Sequence, residues 1–246
     1  MNLSAIVKPC QLNTYQQGAI YCQYDEKMLI EFSPQVFNHQ YWQQQNAITG
    51  SAQGRGTTWF IEHHQQAWVL RHYYRGGLIG KLINDSYFYQ SMAKTRAAQE
   101  FNLLAKMQQL SLPAPAPVAF QVIRNGLFYK ADLLSQRIEN TQDLVAVLSK
   151  TTLSAAIWQR IGETIQAFHH QGIYHHDLNA HNILIDDHDK VWLIDFDRGE
   201  QRKINKSWQQ ANIKRLLRSF NKEKAKLPIF HWQSKNWQQL LIGYQS

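Results

Sequence analysis

His175-His176-Asp177-Leu178-Asn179-Ala180-His181-Asn182 runs into Ile183-Leu184-Ile185 and, after a short gap, Val191-Trp192-Leu193-Ile194-Asp195-Phe196-Asp197; this segment constrains the chain more than any other. The two apolar runs flank Asp186-Asp187-His188-Asp189, a turn composition, and so read as a hairpin. Such a hairpin returns Asp195 towards the loop that carries Asp177 and Asn182. Phosphoryl transfer asks a protein mainly to position reactants and neutralise charge, so a few residues at fixed offsets suffice. One carboxylate must face the acceptor hydroxyl; an amide oxygen and a second carboxylate must hold Mg²⁺ on the nucleotide phosphates. By position, Asp177 is the candidate catalytic residue, and Asn182 and Asp195 are the candidate metal ligands. Taken alone, Asp177 could equally be a helix cap or a turn residue. The ordered hairpin behind it favours the chemical role.

The N-terminal half has the order expected to precede such a loop. Ser33-Pro34 predicts a helix through about Gln45, with proline in its first turn. Gly50-Ser51-Ala52-Gln53-Gly54-Arg55-Gly56 lies between strand-like Ala47-Ile48-Thr49 and Thr57-Thr58-Trp59-Phe60-Ile61, and a third strand, Ala67-Trp68-Val69-Leu70-Arg71, follows a polar turn. Strand, glycine-rich loop, strand, turn and cation-bearing strand is the order of a kinase N-lobe, which makes Gly54, Arg55, Gly56 and Arg71 candidate phosphate contacts. Gly-Arg-Gly by itself often marks only a hairpin turn. The phosphate-binding cation is Arg71, or else Lys81 from the next segment. A helix from about Ala93 to Leu110 buries Leu103, Leu104, Met107 and Leu110, so Glu100 borders the buried face and can pair with the strand cation. The alternative is a solvated helix glutamate. Pro113, Pro115 and Pro117 end that helix, and two strands then turn at Asn125-Gly126.

The composition changes from strand to helix near Leu134–Asn140. We expect an N-lobe with an N-terminal extension over residues 1–134 and a C-lobe with the catalytic loop, metal site and basic tail over 135–246. The long C-lobe helix, Leu153 to Gln171, places Ile157, Ile161, Ile165 and Phe168 at core spacing and stops at Gly172. The fold class is α+β: a two-lobed protein-kinase-like fold with an antiparallel sheet plus helix in the N-lobe and a mainly helical C-lobe. His169, His170, His175, His176 and His181 suggest zinc, but no cysteine is near and no His-Glu-x-x-His spacing occurs. His175 is better read as a brace for the catalytic loop. A binding module without activity is the rival class, and it usually lacks one of the three chemical positions.

Charge is unevenly placed. Residues 201–246 hold ten Lys/Arg against the single acid Glu223, a net +9, whereas the whole chain carries +8. Within this tail Ile213, Leu216, Leu217 and Phe220 form an apolar helical face, and Lys214, Arg215, Arg218 and Lys222 a cationic one. That face, with Lys224, Lys226 and the aromatic stretch Phe230 to Trp237, suits an anionic membrane surface. The rival readings are a face that only aids solubility, and nucleic acid, for which no recognisable fold accompanies the charge. Two cysteines, no membrane-length apolar run and no signal-peptide pattern point to a reducing, cytoplasmic setting.

His176 stands where regulated protein kinases carry Arg, Asp197 follows Asp195-Phe196 in place of Gly, and no Ala-Pro-Glu follows. These departures suit a small-molecule kinase. The segments Gly54-Arg55-Gly56, Val69 to Leu78 (Val-Leu-Arg-His-Tyr-Tyr-Arg-Gly-Gly-Leu), Thr95 to Phe101 (Thr-Arg-Ala-Ala-Gln-Glu-Phe), His176 to Leu184 and Leu193 to Gly199 resemble the 3-deoxy-D-manno-octulosonic acid (Kdo) kinases. The resemblance spans about Gly50 to Lys222. It implies transfer of the ATP γ-phosphate, with Mg²⁺, to the 4-hydroxyl of a Kdo residue on a lipid A precursor. It also implies peripheral association with the cytoplasmic face of the inner membrane in lipopolysaccharide core synthesis. Heptose kinases of the same core are the nearest alternative, and the oligomeric state is not legible.

Overall fold

The computed structural model describes residues 11–54, 56–75 and 85–246. The chain divides into two compact units. The first ends at Gln109 and resumes over Pro115–Ile138, and the second takes Leu110–Ala114 and Glu139–Ser246.

The first unit is an antiparallel sheet with a cover on each face. A hairpin of β1 (Leu12–Gln17) and β2 (Ile20–Asp25) opens it. A 3₁₀ turn, Pro34–Phe37, and helix α1 (His39–Gln44) follow, then β3 (Ile48–Gln53), β4 (Thr57–His63), β5 (Gln66–His72) and the short β6 (Tyr87–Phe88). Helix α2 (Arg96–Gln109) precedes β7 (Pro117–Asn125) and β8 (Phe128–Gln136). The strand order is β1-β2-β7-β8-β5-β4-β3, with β6 also paired to β8. Side chains alternate along β5. Trp68 and Leu70 face one way, into a core shared with Val36, Phe37 and Trp42, and Trp68 meets Trp42 edge-on at 5.6 Å. Arg71 has the opposite parity and faces α2, which packs on β7 and β8.

Two local expectations change. The helix expected from Ser33 to Gln45 is two pieces. Asn38 leaves helical geometry (φ −99°, ψ 116°), and its side-chain oxygen accepts from the N–H of Gln40, starting α1 afresh. The glycine-rich loop is also shorter than expected, because β3 stays paired with β4 as far as Gln53↔Thr57.

The second unit begins with β9 (Thr141–Asp143), whose last residue caps α3 (Leu144–Leu148) by accepting from the N–H groups of Val145 at 3.0 Å and Ala146 at 3.2 Å. Helix α4 (Ala155–His170) ends at Gly172, whose φ of 72° suits a residue without Cβ. Then come β10 (Ile173–Tyr174), β11 (Ile183–Asp186), β12 (Val191–Leu193), β13 (Glu200–Gln201), α5 (Lys206–Lys226) and α6 (Ser234–Gln245). Strands β11 and β12 are the expected hairpin, and β9 adds to its other edge. Helix α6 lies directly on α4. A Cβ added to Gly162 would stand 2.0 Å from the carbonyl oxygen of Leu240, and one added to Gly243 would stand 2.0 Å from that of Gln159. The aromatic stretch of the tail is therefore not a free surface. Trp232 is buried and stacks on Phe220 at 5.6 Å, and Trp237 also meets Phe220, at 6.3 Å.

Candidate active site

Asp177 sits in a loop whose main chain is fixed by its neighbours. Its N–H donates to Nδ1 of His175 at 3.1 Å. Its carbonyl accepts from Nδ2 of Asn179 and from Nδ2 of Asn182, each at 3.0 Å. Because Nδ1 of His175 accepts, Nε2 carries the ring proton, and it donates to the carbonyl of Ile194 at 2.9 Å. Burial holds this imidazole below its ordinary pKa, which keeps that neutral tautomer. The brace expected of His175 is present, and it ties the loop to the strand end that bears Asp195.

Asn182 joins the same two segments. Its backbone carbonyl accepts from the N–H of Ile194 at 3.0 Å. Its amide nitrogen is committed to Asp177, which leaves Oδ1 as the atom this side chain can offer a cation. Asp195 follows with φ 60°, a left-handed conformation that non-glycine residues seldom take. The turn sends Phe196 inward, where it stacks on Phe168 at 5.6 Å and lies 4.7 Å from the His175 ring, while Asp195 stays exposed. An amide oxygen and a carboxylate are hard oxygen donors and fit Mg²⁺, which prefers oxygen and keeps several waters.

Helix α5 carries a polar stripe that follows this loop turn by turn. Asn212, buried, accepts from the N–H of His175 at 3.3 Å and donates to its carbonyl at 2.9 Å. Nε2–H of His169 also donates to Asn212 Oδ1 at 3.4 Å, and Tyr244 donates to His169 Nδ1 at 2.7 Å. Arg215 donates to Oδ1 of Asp177 through Nε at 3.0 Å and through Nη2. Ser219 accepts from the N–H of Ala180 at 3.1 Å, and Glu223 lies 3.6 Å from His181. This stripe is not apparent from charge and apolar spacing alone, which put Arg215 on the outward cationic face. The available signal was the polar spacing 212, 215, 219, 223, which repeats every three or four residues. The apolar face expected of the same helix is present, with Ile213, Leu216 and Phe220 buried.

In the first unit Arg71 and Glu100 meet. Nη2 of Arg71 lies 2.5 Å from Oε2 of Glu100, and Tyr73 donates to the same oxygen at 2.7 Å. Glu100 is 4% exposed and Arg71 24%, so the carboxylate is the buried anchor and the guanidinium the accessible end. Gly56 packs under the ring of Tyr74, where a Cβ would come within 1.9 Å, so any other residue there requires that ring to move; among the described residues Gly54 has no neighbour so close. Arg55 and Lys81 lie outside the described residues.

Residues 39–244 match the Lipopolysaccharide kinase (Kdo/WaaP) family. The chain belongs to that family. It is 48% identical over 223 residues to a 3-deoxy-D-manno-octulosonic acid kinase of Vibrio vulnificus, covering 91% of this chain and 94% of the relative. A protein of the same name from Mannheimia succiniciproducens is 50% identical over 217 residues (85% and 90%), and one from Haemophilus influenzae 39% over 241 (95% and 99%). Membership agrees with the α+β protein-kinase-like architecture of an antiparallel N-terminal sheet with helices, and it makes the chain a phosphotransferase acting on a hydroxyl group. No helix among the described residues is long and apolar enough to cross a membrane.

Proposed function

We propose that the chain transfers the γ-phosphate of ATP to the 4-hydroxyl of a Kdo residue on a lipid A precursor. The observation that carries this reading is the locked segment from His175 to Asp195, in which the backbone of Asp177 is fixed by His175, Asn179 and Asn182 while its carboxylate stays at the surface. Asp177 orients the acceptor hydroxyl and accepts its proton. Asn182 and Asp195 hold Mg²⁺, which when bound neutralises the phosphate charge that builds during transfer. Arg71, held by Glu100 and Tyr73, contacts the nucleotide phosphates as a fork of donors, with Gly54, Arg55 and Gly56 as their backbone cover. Arg71 is the better supported cation because its carboxylate partner is in place.

The second part of the proposal concerns location. Lys214, Arg218 and Lys222 are exposed on α5, and the tail carries the whole of the chain's excess positive charge. A cationic face of this kind attracts anionic headgroups at about 1 kcal/mol per Lys or Arg near the surface. It suits peripheral attachment to the cytoplasmic face of the inner membrane, where the acceptor's lipid lies.

Mass spectrometry of two acceptors, each incubated with enzyme and Mg·ATP, tests the substrate assignment. A Kdo-lipid A precursor should gain phosphate on Kdo. Phosphate appearing only on heptose of a heptosylated precursor would reassign the chain to the heptose kinases.

A further inference from the structure

The contact between Arg215 and Asp177 joins a cation to the residue assigned as catalytic. Both groups are near half exposed, 44% and 47%, so the pair lies at the surface and not in the core. Both bonds from the guanidinium, through Nε and Nη2, end on one carboxylate oxygen, Oδ1. Oδ2 of Asp177 and Nη1 of Arg215 take no hydrogen bond among the described residues. A base oxygen and the outer edge of the guanidinium, Nη1 with the second N–H of Nη2, are therefore both left for an acceptor. The main chain is held at both ends, because hydrogen bonds within its loop fix the backbone of Asp177 and Arg215 rises from α5 one turn after Asn212, which binds that loop.

A planar guanidinium edge matches a carboxylate in geometry and charge better than any neutral sugar group. An acceptor carrying a hydroxyl and a carboxylate could use both features at once. We propose that Arg215 reads the carboxylate of an acidic sugar acceptor while Oδ2 of Asp177 takes the hydroxyl. Arg215 thereby sets which hydroxyl reaches the base and distinguishes an acidic sugar from a neutral one. This inference rests on the Kdo reading, since that sugar is an acid, and it adds the residue that recognises the acid.

The test measures transfer by the full chain to a Kdo-lipid A precursor and to the same precursor with the Kdo carboxylate converted to its methyl ester. A hydrogen-bonded charge pair of this kind predicts that the wild type prefers the acid by about 10- to 100-fold in kcat/KM. Arg215→Gln should erase that preference through a raised KM for the acid, while the KM for ATP and the thermal shift given by Mg·ATP stay at wild-type values. Arg215→Lys, which keeps the charge but not the fork, should retain part of the preference. If Arg215→Gln lowers kcat equally on both acceptors and keeps the acid-to-ester ratio, Arg215 only steadies Asp177 and the proposal is overturned. A wild type that phosphorylates neither acceptor overturns the Kdo reading itself, and the inference with it.

Discussion

Asn212 offers the sharpest test of how the loop that carries Asp177 is held. Its side chain serves three buried groups on two other segments: the N–H of His175, the carbonyl of His175 and the ring of His169. Asn212→Ala leaves both backbone groups of His175 without partners inside the protein. A buried polar group that loses its partner costs about 1–3 kcal/mol, so the two together cost about 2–6 kcal/mol before any void is counted. For a chain of this size 1 kcal/mol moves the melting temperature by about 2–4 °C, so a fall between about 4 and 24 °C is expected. Asn212→Asp separates hydrogen bonding from cavity formation. It keeps the shape but sets a carboxylate oxygen against the carbonyl of His175, so it should destabilise to a comparable degree with no void at all. Thermal and urea unfolding give both values, and steady-state transfer should fall in both variants because the loop beside Asp177 loosens. If both variants lie within about 0.5 kcal/mol of wild type with unchanged kcat, as surface substitutions do, the account of α5 as the loop's brace is wrong.

Three further outcomes follow from the same structure. Burial lowers the pKa of His169 to about 4 from 6.5, and burial lowers that of His175 too, so the unfolded chain binds more protons below about pH 6.5 and stability falls as pH falls. His169 alone should cost roughly 2 kcal/mol between pH 7.5 and 5, and the urea midpoint of His169→Asn should be correspondingly less sensitive to acid; equal slopes would contradict the assignment. Asp195→Asn removes a proposed Mg²⁺ ligand and should raise the Mg²⁺ concentration for half-maximal rate about tenfold or more, a loss of about 1.4 kcal/mol in ion binding; an unchanged metal titration argues against that role. Charge reversal at Lys214, Arg218 and Lys222, with Arg215 left intact, should weaken binding to anionic vesicles, and wild-type binding should decline with salt because screening acts over about 8–10 Å near physiological ionic strength. Salt-insensitive vesicle binding would leave that face without the proposed partner.

The parts legible in the sequence were those with a strong period or a fixed offset. The β11–β12 hairpin and the apolar stripe of α4 follow from alternation and helical spacing, and both are found; the turn expected at Asn125-Gly126 from its residue types falls one residue later, at Gly126-Leu127, because Asn125 still pairs with Phe128. Glu100 could be assigned to a buried border because it lies three and four residues before Leu103 and Leu104, and it is indeed 4% exposed. Other elements gave weaker signals. The β1–β2 hairpin is rich in Gln and Tyr, with its first strand largely exposed, so alternation of polarity hardly marks it. Helix α6 was hidden because its packing on α4 depends on Gly162 and Gly243, small residues that carry no hydrophobic signal. The break at Asn38 follows from one side-chain cap overriding a continuous helical stretch. Arg215 shows the broadest limit: a charge on a helix looks outward until the partner across from it is known. Its partner is Asp177, thirty-eight residues earlier.

The central claim is that Asp177 serves phosphate transfer to Kdo, and one comparison addresses it directly. Wild-type protein and Asp177→Asn are each incubated with Mg·ATP and a Kdo-lipid A precursor, and the acceptor is read by mass spectrometry over time. General-base contributions of about 10²–10⁴-fold predict one added phosphate with the wild type and a rate lower by that factor with Asp177→Asn, while Mg·ATP still stabilises the variant against heat. Near-wild-type transfer by Asp177→Asn, or an acceptor left unmodified by the wild type, would contradict the account.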